Sequence, residues 1–166
     1  QVSLSPGFRW GTTVMAGQKI TMDNLLDQTC ITYPETYARE MSGEEIKNIL
    51  EDVCDNLFNA DPYYQQGGDM VRVGGLDYVC DPMAPIGRRI SEMTLDSGEK
   101  IEAGKSYKVS GWATVGSQAP GPAIWDVVAG YLRDQKVASV KKMNVPVLKH
   151  SAGNPGIANY SGKIMS

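Results

Sequence analysis

The residues best suited to chemistry in this chain of 166 residues are arginines that have aromatic neighbours. Arg9 lies between Phe8 and Trp10 in a segment that contains glycine and proline. An arginine fork in such a loop can bind an anion through two hydrogen bonds, and a flat indole can form the wall of a pocket. Arg72 and Trp112 are two further candidates. Together these residues predict an anion-binding surface on a domain that has no catalyst of its own.

Other kinds of catalytic site find little support in the sequence. A dinuclear metal site needs a cluster of histidine and carboxylate ligands, and His150 is the one histidine of the chain. The cysteines Cys30, Cys54 and Cys80 follow no zinc-binding spacing, and a bridge between Cys54 and Cys80 is left as an alternative. No nucleophile elbow, phosphate loop or dinucleotide fingerprint is present. We therefore predict no catalytic residue and no metal ligand in this chain.

Composition narrows the class of protein. A hydrophobic fraction of 42% and a length of 166 residues are typical of one globular domain. The net charge is −3, without a basic cluster, which argues against nucleic acid as a partner. No apolar run approaches the ~18–20 residues that a bilayer-spanning helix needs. The chain begins with Gln1 and shows no leader pattern, so we expect a domain excised from a longer chain.

Two main helices and a set of strands must position the candidate residues. The helix at 42–58 starts with a capping box of Ser42 and Glu45 and continues with apolar residues at helical spacing. A second helix is predicted at 122–134 and a shorter one at 21–28. Strands are predicted in the segments rich in β-branched and aromatic residues: 1–4, 30–39, 70–73, 76–80, 89–95 and 107–113. Because helices and strands do not alternate strictly, the predicted fold class is α+β with mixed sheets.

Surface loops connect these elements. Four segments combine glycine or proline with polar or aromatic residues and are predicted as loops: 5–17, 61–69, 116–121 and 150–160. Functional residues concentrate on loops that a rigid scaffold holds in place. The glycine pairs at 67–68 and 74–75 are interpreted first as turns around a strand rather than as direct ligand contacts.

Several motifs occur in a fixed order along the chain: Phe8-Arg9, Gly17, Ile20-Thr21, the helix start at Ser42-Gly43, Gly67-Gly68 and the strand at 107–113. This order resembles the C-terminal domain of the 5′-nucleotidase family. Within that family, three longer strings resemble the SoxB-type thiosulfohydrolases of bacterial sulfur oxidation: residues 5–11, 61–75 and 153–157. The resemblance covers nearly the whole chain, and the middle string is long and unusual.

The resemblance implies a periplasmic hydrolase of two domains, of which residues 1–166 form the C-terminal, substrate-binding one. The N-terminal domain of such an enzyme has a calcineurin-like phosphoesterase fold and holds two metal ions, manganese by the resemblance, that activate a water molecule. The substrate implied is a cysteine S-thiosulfonate near the flexible C-terminus of the SoxYZ carrier protein. Its hydrolysis releases sulfate and leaves the sulfane sulfur on the carrier.

The resemblance also implies roles for individual residues. Nucleotidases have an arginine in the first loop, and Arg9 matches it, so Arg9 is expected to bind the sulfonate or the carrier tail. Nucleotidases stack the base between two aromatic rings, but this chain has Asp69 at one of these positions and the ring-free segment 116–121 at the other. Losing both rings would forfeit roughly 1–3 kcal/mol per base contact. A nucleotide substrate is therefore disfavoured, and a narrow cleft that admits a glycine-rich peptide arm is favoured.

The predicted substrate-binding residues combine the arginines with the aromatic residues that could form the walls of this cleft: Arg9, Trp10, Tyr63, Tyr64, Gly68, Asp69, Arg72 and Trp112. Two other functions stay open. One is the C-terminal domain of a periplasmic 5′-nucleotidase or related phosphoesterase with altered base recognition. The other is a peptide-binding module that catalyses nothing.

Overall fold

The computed structural model of the chain describes residues 1–7, 13–30, 33–112 and 121–152. Within these ranges, two mixed sheets and three α-helices make up the predicted α+β fold. The elements follow each other as β1 (Val2–Ser5), α1 (Met22–Thr29), β2 (Thr36–Ser42), α2 (Gly43–Phe58), a 3-10 turn (Pro62–Tyr64), β3 (Arg72–Gly74), β4 (Leu76–Cys80), β5 (Ile90–Leu95), β6 (Ser106–Trp112), α3 (Ile124–Gln135) and β7 (Val147–Leu148). In the described part of the chain, no helix is both long and apolar enough to cross a bilayer.

Four strands form the first sheet, in the order β2-β6-β1-β3. β1 lies between β6, to which it is parallel, and β3, to which it is antiparallel. Side chains alternate between the two faces of a strand, so Val2, Leu4 and Tyr107 are buried on the inner face while Ser3 and Ser110 are exposed on the outer one. The inner face supplies one wall of the core, and the outer face stays accessible.

The second sheet has the order β5-β4-β7, and α2 packs between its strands and those of the first sheet. Ile46, Leu50 and Cys54 line the buried stripe of α2, as their helical spacing predicts. The predicted capping box is confirmed, because the backbone N–H of Glu45 donates to Ser42 Oγ at 3.1 Å and that of Ser42 to Glu45 Oε2 at 2.7 Å. The capping box and the helical spacing of apolar residues therefore predict the position of α2 correctly.

Two predicted boundaries are wrong for one shared reason. The strand expected at 30–39 begins at Thr36, and the helix expected at 122 begins at Ile124. Thr36 pairs with the segment just before α3: its N–H donates to the Pro122 carbonyl at 3.1 Å and its carbonyl accepts from Gly121 N–H at 2.9 Å. These bonds draw Pro122 into an extended pairing, so the helix starts two residues later.

Two charged residues, Glu51 and Arg89, are buried in the core, with 3% of their surface exposed. Glutamate has a residue type that predicts an exposed position on α2, and for Glu51 this expectation is wrong. Its carboxylate accepts hydrogen bonds from the backbone N–H groups of Gly87, Arg89 and Ile90 at 2.8, 3.3 and 2.7 Å. The Arg89 guanidinium pairs with Asp55 at 2.5 Å and holds the pKa of that carboxyl below its usual range. Together these contacts fasten the start of β5 to α2.

Candidate functional site

One row of four residues crosses the first sheet at the edge where predicted loops attach. Trp112 pairs with Thr36 across β6 and β2, and Ser5 pairs with Arg72 across β1 and β3. The parallel pairing of β1 with β6 puts Ser5 and Trp112 side by side, because the residues before them are partners. Neighbouring strands lie about 4.8 Å apart, so the backbones of Trp112 and Arg72 are about 10 Å apart. We call these four residues the edge row: Thr36, Trp112, Ser5 and Arg72.

The members of the edge row belong to the outer face of the sheet. Leu4 and Val109, on the inner face, are buried in the core, and side chains an odd number of residues away on the same strand, such as Ser5 and Trp112, point to the opposite side. Arg72 is accordingly exposed and Trp112 is half-buried. Two of the predicted site residues, one cationic and one aromatic, therefore share one face at one end of the sheet.

A cavity of about 630 Å³ opens on this outer face beside Trp112. Its floor is made of small side chains from three strands, and its wall is the segment that leads into α3. The lining includes Ser3, Ala38, Ser110, Pro122, Ile124 and Val127. This volume and its largely apolar lining are typical of sites that hold a small ligand or a peptide segment.

Two loops meet at the same edge of the sheet. A Cβ atom on Gly7 would collide with the Cβ of Asp69 and lie 2.5 Å from the carbonyl oxygen of Met70. Only glycine allows this close approach, which brings Gly7 against Asp69 at the end of the 61–69 loop. The structure thus brings together the predicted residues Asp69, Arg72 and Trp112 around one end of the sheet.

The guanidinium of Arg72 has no partner in the described part of the chain. Within these ranges no carboxylate, carbonyl or hydroxyl accepts a hydrogen bond from it, and it is exposed. Arg89, by contrast, is buried and paired with Asp55. An unpaired arginine fork is available to bind an anion in a bidentate manner, so Arg72 is the described arginine that fits the predicted role.

The 61–69 loop holds other predicted residues away from the cavity. Tyr63 and Tyr64 lie on the 3-10 turn, with 95% and 67% of their surface exposed, and neither lines the cavity. The Tyr63 N–H donates to Asp61 Oδ1 at 2.9 Å, which caps the turn beside the end of α2. Gly68 has a φ of +94° in open space, so its backbone conformation explains the glycine. The predicted Arg9 and Trp10 lie outside the described residues.

His150 takes part in a structural contact. Its Nδ1 lies 2.8 Å from Asp81 Oδ1, and this hydrogen bond lowers the pKa of the Asp81 carboxyl. The neighbouring Lys149 N–H donates to the Cys80 carbonyl at 2.9 Å. These bonds attach the segment after β7 to the end of β4. Among the described residues, no three histidine, cysteine, aspartate or glutamate side chains are grouped so that they could hold a metal ion.

Sequence reasoning did not single out Ser5, Thr36 or Gly111 for the site. A Cβ atom on Gly111 would collide with the Tyr37 hydroxyl and lie 2.8 Å from the Leu4 carbonyl oxygen. Gly111 therefore lets β1 and β2 approach β6 closely, one residue before Trp112. The registers of β1 and of β2 against β6 identify these residues, and no local sequence signal does.

Gly111→Ala should lower the free energy of unfolding by about 1–3 kcal/mol, because the added methyl group overpacks the sheet. Urea denaturation followed by circular dichroism measures this change. Gly104→Ala is the matched control, since a Cβ atom there meets nothing within 4 Å. Equal stability of the two variants would show that the sheet accommodates the methyl group and that Gly111 has no special role.

Comparison with known proteins finds a family model and several solved structures that are similar to the chain. The model of the family "5′-nucleotidase, C-terminal domain" matches residues 2–126. The solved structure of the Thermus thermophilus sulfate thiohydrolase SoxB, in complex with glycerol, is 40% identical with a TM-score of 0.76, over 88% of this chain and 28% of that one. No curated protein matches.

Two more distant structures show the same fold. A 5′-nucleotidase precursor from Thermus thermophilus is 16% identical with a TM-score of 0.66, over 90% of this chain and 32% of that one. The NAD nucleotidase of Haemophilus influenzae is 18% identical with a TM-score of 0.54, over 81% of this chain and 23% of that one. The chain thus spans about a third or less of each of these proteins.

Proposed function

Because the chain belongs to the 5′-nucleotidase C-terminal domain family, we propose that it is the substrate-binding domain of a SoxB-type thiosulfohydrolase. The enzyme would release sulfate hydrolytically from a cysteine S-thiosulfonate on the SoxYZ carrier protein. The likeness to the SoxB structure, at 40% identity over 88% of the chain, supports the choice of reaction. The observation that carries the proposal is the edge row, where Arg72, which has no partner among the described residues, and the half-buried Trp112 face the same side.

Arg72 and Trp112 would bind different parts of the substrate. The Arg72 guanidinium would donate two hydrogen bonds to oxygens of the sulfonate, a geometry that lysine does not reproduce. Trp112, at the mouth of the cavity, would pack against the backbone of the carrier arm, which needs little room where it is rich in glycine. Holding the arm in one position removes much of the entropic cost of bringing the sulfur–sulfur bond to the attacking water.

We assign bond cleavage to a second domain of the proposed full-length enzyme. The two metal ions, manganese by family resemblance, would be held by a metallophosphoesterase domain outside residues 1–166. When bound there, they would supply an activated water molecule and polarise the group under attack. The proposed location is the periplasm, and the proposed partners are the carrier and that domain, without a nucleic acid or a membrane.

The choice between sulfonate and nucleotide is directly measurable. The complete enzyme, with manganese, should release sulfate from thiosulfonate-loaded carrier, as measured by ion chromatography, and should release no phosphate from AMP. Asp69 is exposed at the place where the family stacks a base, which is the physical reason to expect no nucleotide turnover. Phosphate release from AMP without sulfate release would replace the proposal by the nucleotidase alternative.

Residues 1–166 alone should show no sulfate release and no tight manganese binding. The expected result follows from the lack of a ligand grouping among the described residues. Isothermal titration with manganese and sulfate analysis over a long incubation measure both properties, and circular dichroism establishes that the sample is folded. Turnover by the pure domain would contradict the division of labour proposed above.

A further inference from the structure

Cys54 and Cys80 meet in the core of the domain. Cys54 lies on the buried stripe of α2 and Cys80 is the last residue of β4, and their sulfur atoms are 3.6 Å apart. Both are thiols in this structure, with 0% and 3% of their surface exposed. Cys30, at the end of α1, is exposed. The pair thus joins a helix and a strand that the sequence separates by 26 residues.

Neighbouring bonds hold the two cysteines in this position. Glu51, one turn before Cys54, accepts a hydrogen bond from the Ile90 N–H at 2.7 Å. Ile90 is the partner of Cys80 in the pairing of β4 with β5. The carboxylate therefore fixes α2 against the strand pair at the level of the two sulfurs, so their contact follows from the backbone arrangement.

We propose that Cys54 and Cys80 form a disulfide that fastens α2 to β4 when the chain folds in the presence of a disulfide oxidant. A disulfide bond is about 2.05 Å long, so the sulfurs need to approach by about 1.5 Å, a movement of the size that side-chain adjustment supplies. A shared zinc ion is the other use of neighbouring thiols, but the described residues contain no grouping of three potential ligands. The proposal does not depend on the reaction proposed above.

The chemistry is thiol–disulfide exchange with a small-molecule or protein disulfide. One cysteine thiolate attacks a sulfur of the oxidant, forming a mixed disulfide and releasing one thiol. The second cysteine thiolate then attacks the first cysteine's sulfur and releases the other thiol. Two electrons and two protons pass from the cysteine pair to the oxidant, which becomes two thiols. One sulfur–sulfur bond forms and one breaks.

Because the pair is buried in the folded domain, the exchange has to occur before folding is complete. Both sulfurs are buried in the core, with 0% and 3% of the residue surfaces exposed, so the folded protein keeps an oxidant away from the pair. An oxidant reaches these sulfurs before α2 docks on β4. We expect the disulfide to form during folding and then to resist reductants as long as the domain stays folded.

Peptide mapping of the whole protein tests the bridge. The protein is unfolded, refolded with a mixture of oxidised and reduced glutathione, alkylated with iodoacetamide in denaturant, and digested with trypsin without reduction. Cleavage after Lys47, Arg72 and Arg88 places the two cysteines on the separate peptides 48–72 and 73–88. These peptides should appear linked, while the peptide that contains Cys30 should be alkylated. Alkylation of both Cys54 and Cys80, or a bridge from either to Cys30, would overturn the proposal.

A thermal measurement provides a second readout. The Cys30→Ser variant keeps both Cys54 and Cys80. A sample that is reduced in denaturant and refolded with reductant should have a Tm on the order of 10 °C below that of the oxidised sample. The double variant Cys54→Ala/Cys80→Ala should have the same Tm with and without reductant. An unchanged Tm in Cys30→Ser after reduction would also contradict the bridge.

Discussion

Arg72→Ala in the complete enzyme should lower kcat/KM for sulfate release from loaded carrier by about 10²-fold, the size expected when a group that positions an anion is lost. The guanidinium is exposed and has no partner among the described residues, so its removal breaks no internal contact there. The effect should fall on the reaction and leave the Tm unchanged. Sulfate analysis at several carrier concentrations separates a change in KM from a change in kcat.

Two further variants define what Arg72 contributes. Arg72→Lys keeps the charge but loses the fork, so its activity should lie between those of the wild type and the alanine variant. Arg88→Ala is the matched control, because Arg88 is an exposed arginine on the turn before β5. If Arg72→Ala and Arg88→Ala release sulfate at the wild-type rate, Arg72 does not bind the substrate and the edge row loses its proposed role.

Glu51→Ala should lower the free energy of unfolding by roughly 3–6 kcal/mol, because three backbone N–H groups, two of them on buried residues, lose their acceptor at about 1–3 kcal/mol each, with partial relief by water. These groups belong to Gly87, Arg89 and Ile90 at the start of β5. Urea denaturation followed by circular dichroism gives the free energy.

The Glu51 result needs a variant that separates hydrogen bonding from side-chain volume. Glu51→Gln keeps the shape and one acceptor oxygen, so its stability should fall between those of the wild type and Glu51→Ala. Asp52→Ala changes an exposed carboxylate one position further along α2 and should have little effect. If Glu51→Ala and Asp52→Ala are equally stable, the carboxylate does not carry the attachment of β5.

Local signals explain the parts of the fold that the sequence predicts well. Thr21 caps α1 and Ser42 caps α2, each through a capping box whose two bonds span three residues. The strand at 76–80 is rich in apolar residues and coincides with β4. Interactions of this kind lie within a few neighbouring positions, so one sequence displays both partners.

The remaining features depend on partners far along the chain. β2 starts at Thr36 because Thr36 donates hydrogen bonds to Pro122, 86 residues away. No sequence pattern near Thr36 predicts this contact. Glutamate is typical of surface positions, and the backbone N–H groups that stabilise the buried Glu51 carboxylate lie 36–39 residues further along the chain. β7 has only two residues and no local pattern predicts it, since its strand character comes from pairing with β4.

In the candidate site, too, the sequence predicts some residues but does not predict how they are arranged. Residue type and loop context single out Arg72 and Trp112, and the structure places them on one face. Their proximity depends on Ser5 lying between them in the sheet, which requires the parallel pairing of β1 with β6. Tyr63 and Tyr64 have the residue types of a cleft wall, yet the 3-10 turn holds them beside the end of α2. Their predicted role in binding remains a prediction.

The central place of β1 in the first sheet has a consequence for synthesis on the ribosome. The backbone N–H of Lys108 donates to the side chain of Gln1, 107 residues earlier, and Val2 pairs with Val109. β1 therefore emerges early but waits for its parallel neighbour until most of the domain has been translated, with Val2 and Leu4 exposed to solvent meanwhile. Long-range pairing of this kind slows folding and exposes apolar surface, so a nascent chain stalled before β6 should be a preferred client of chaperones that bind extended apolar segments.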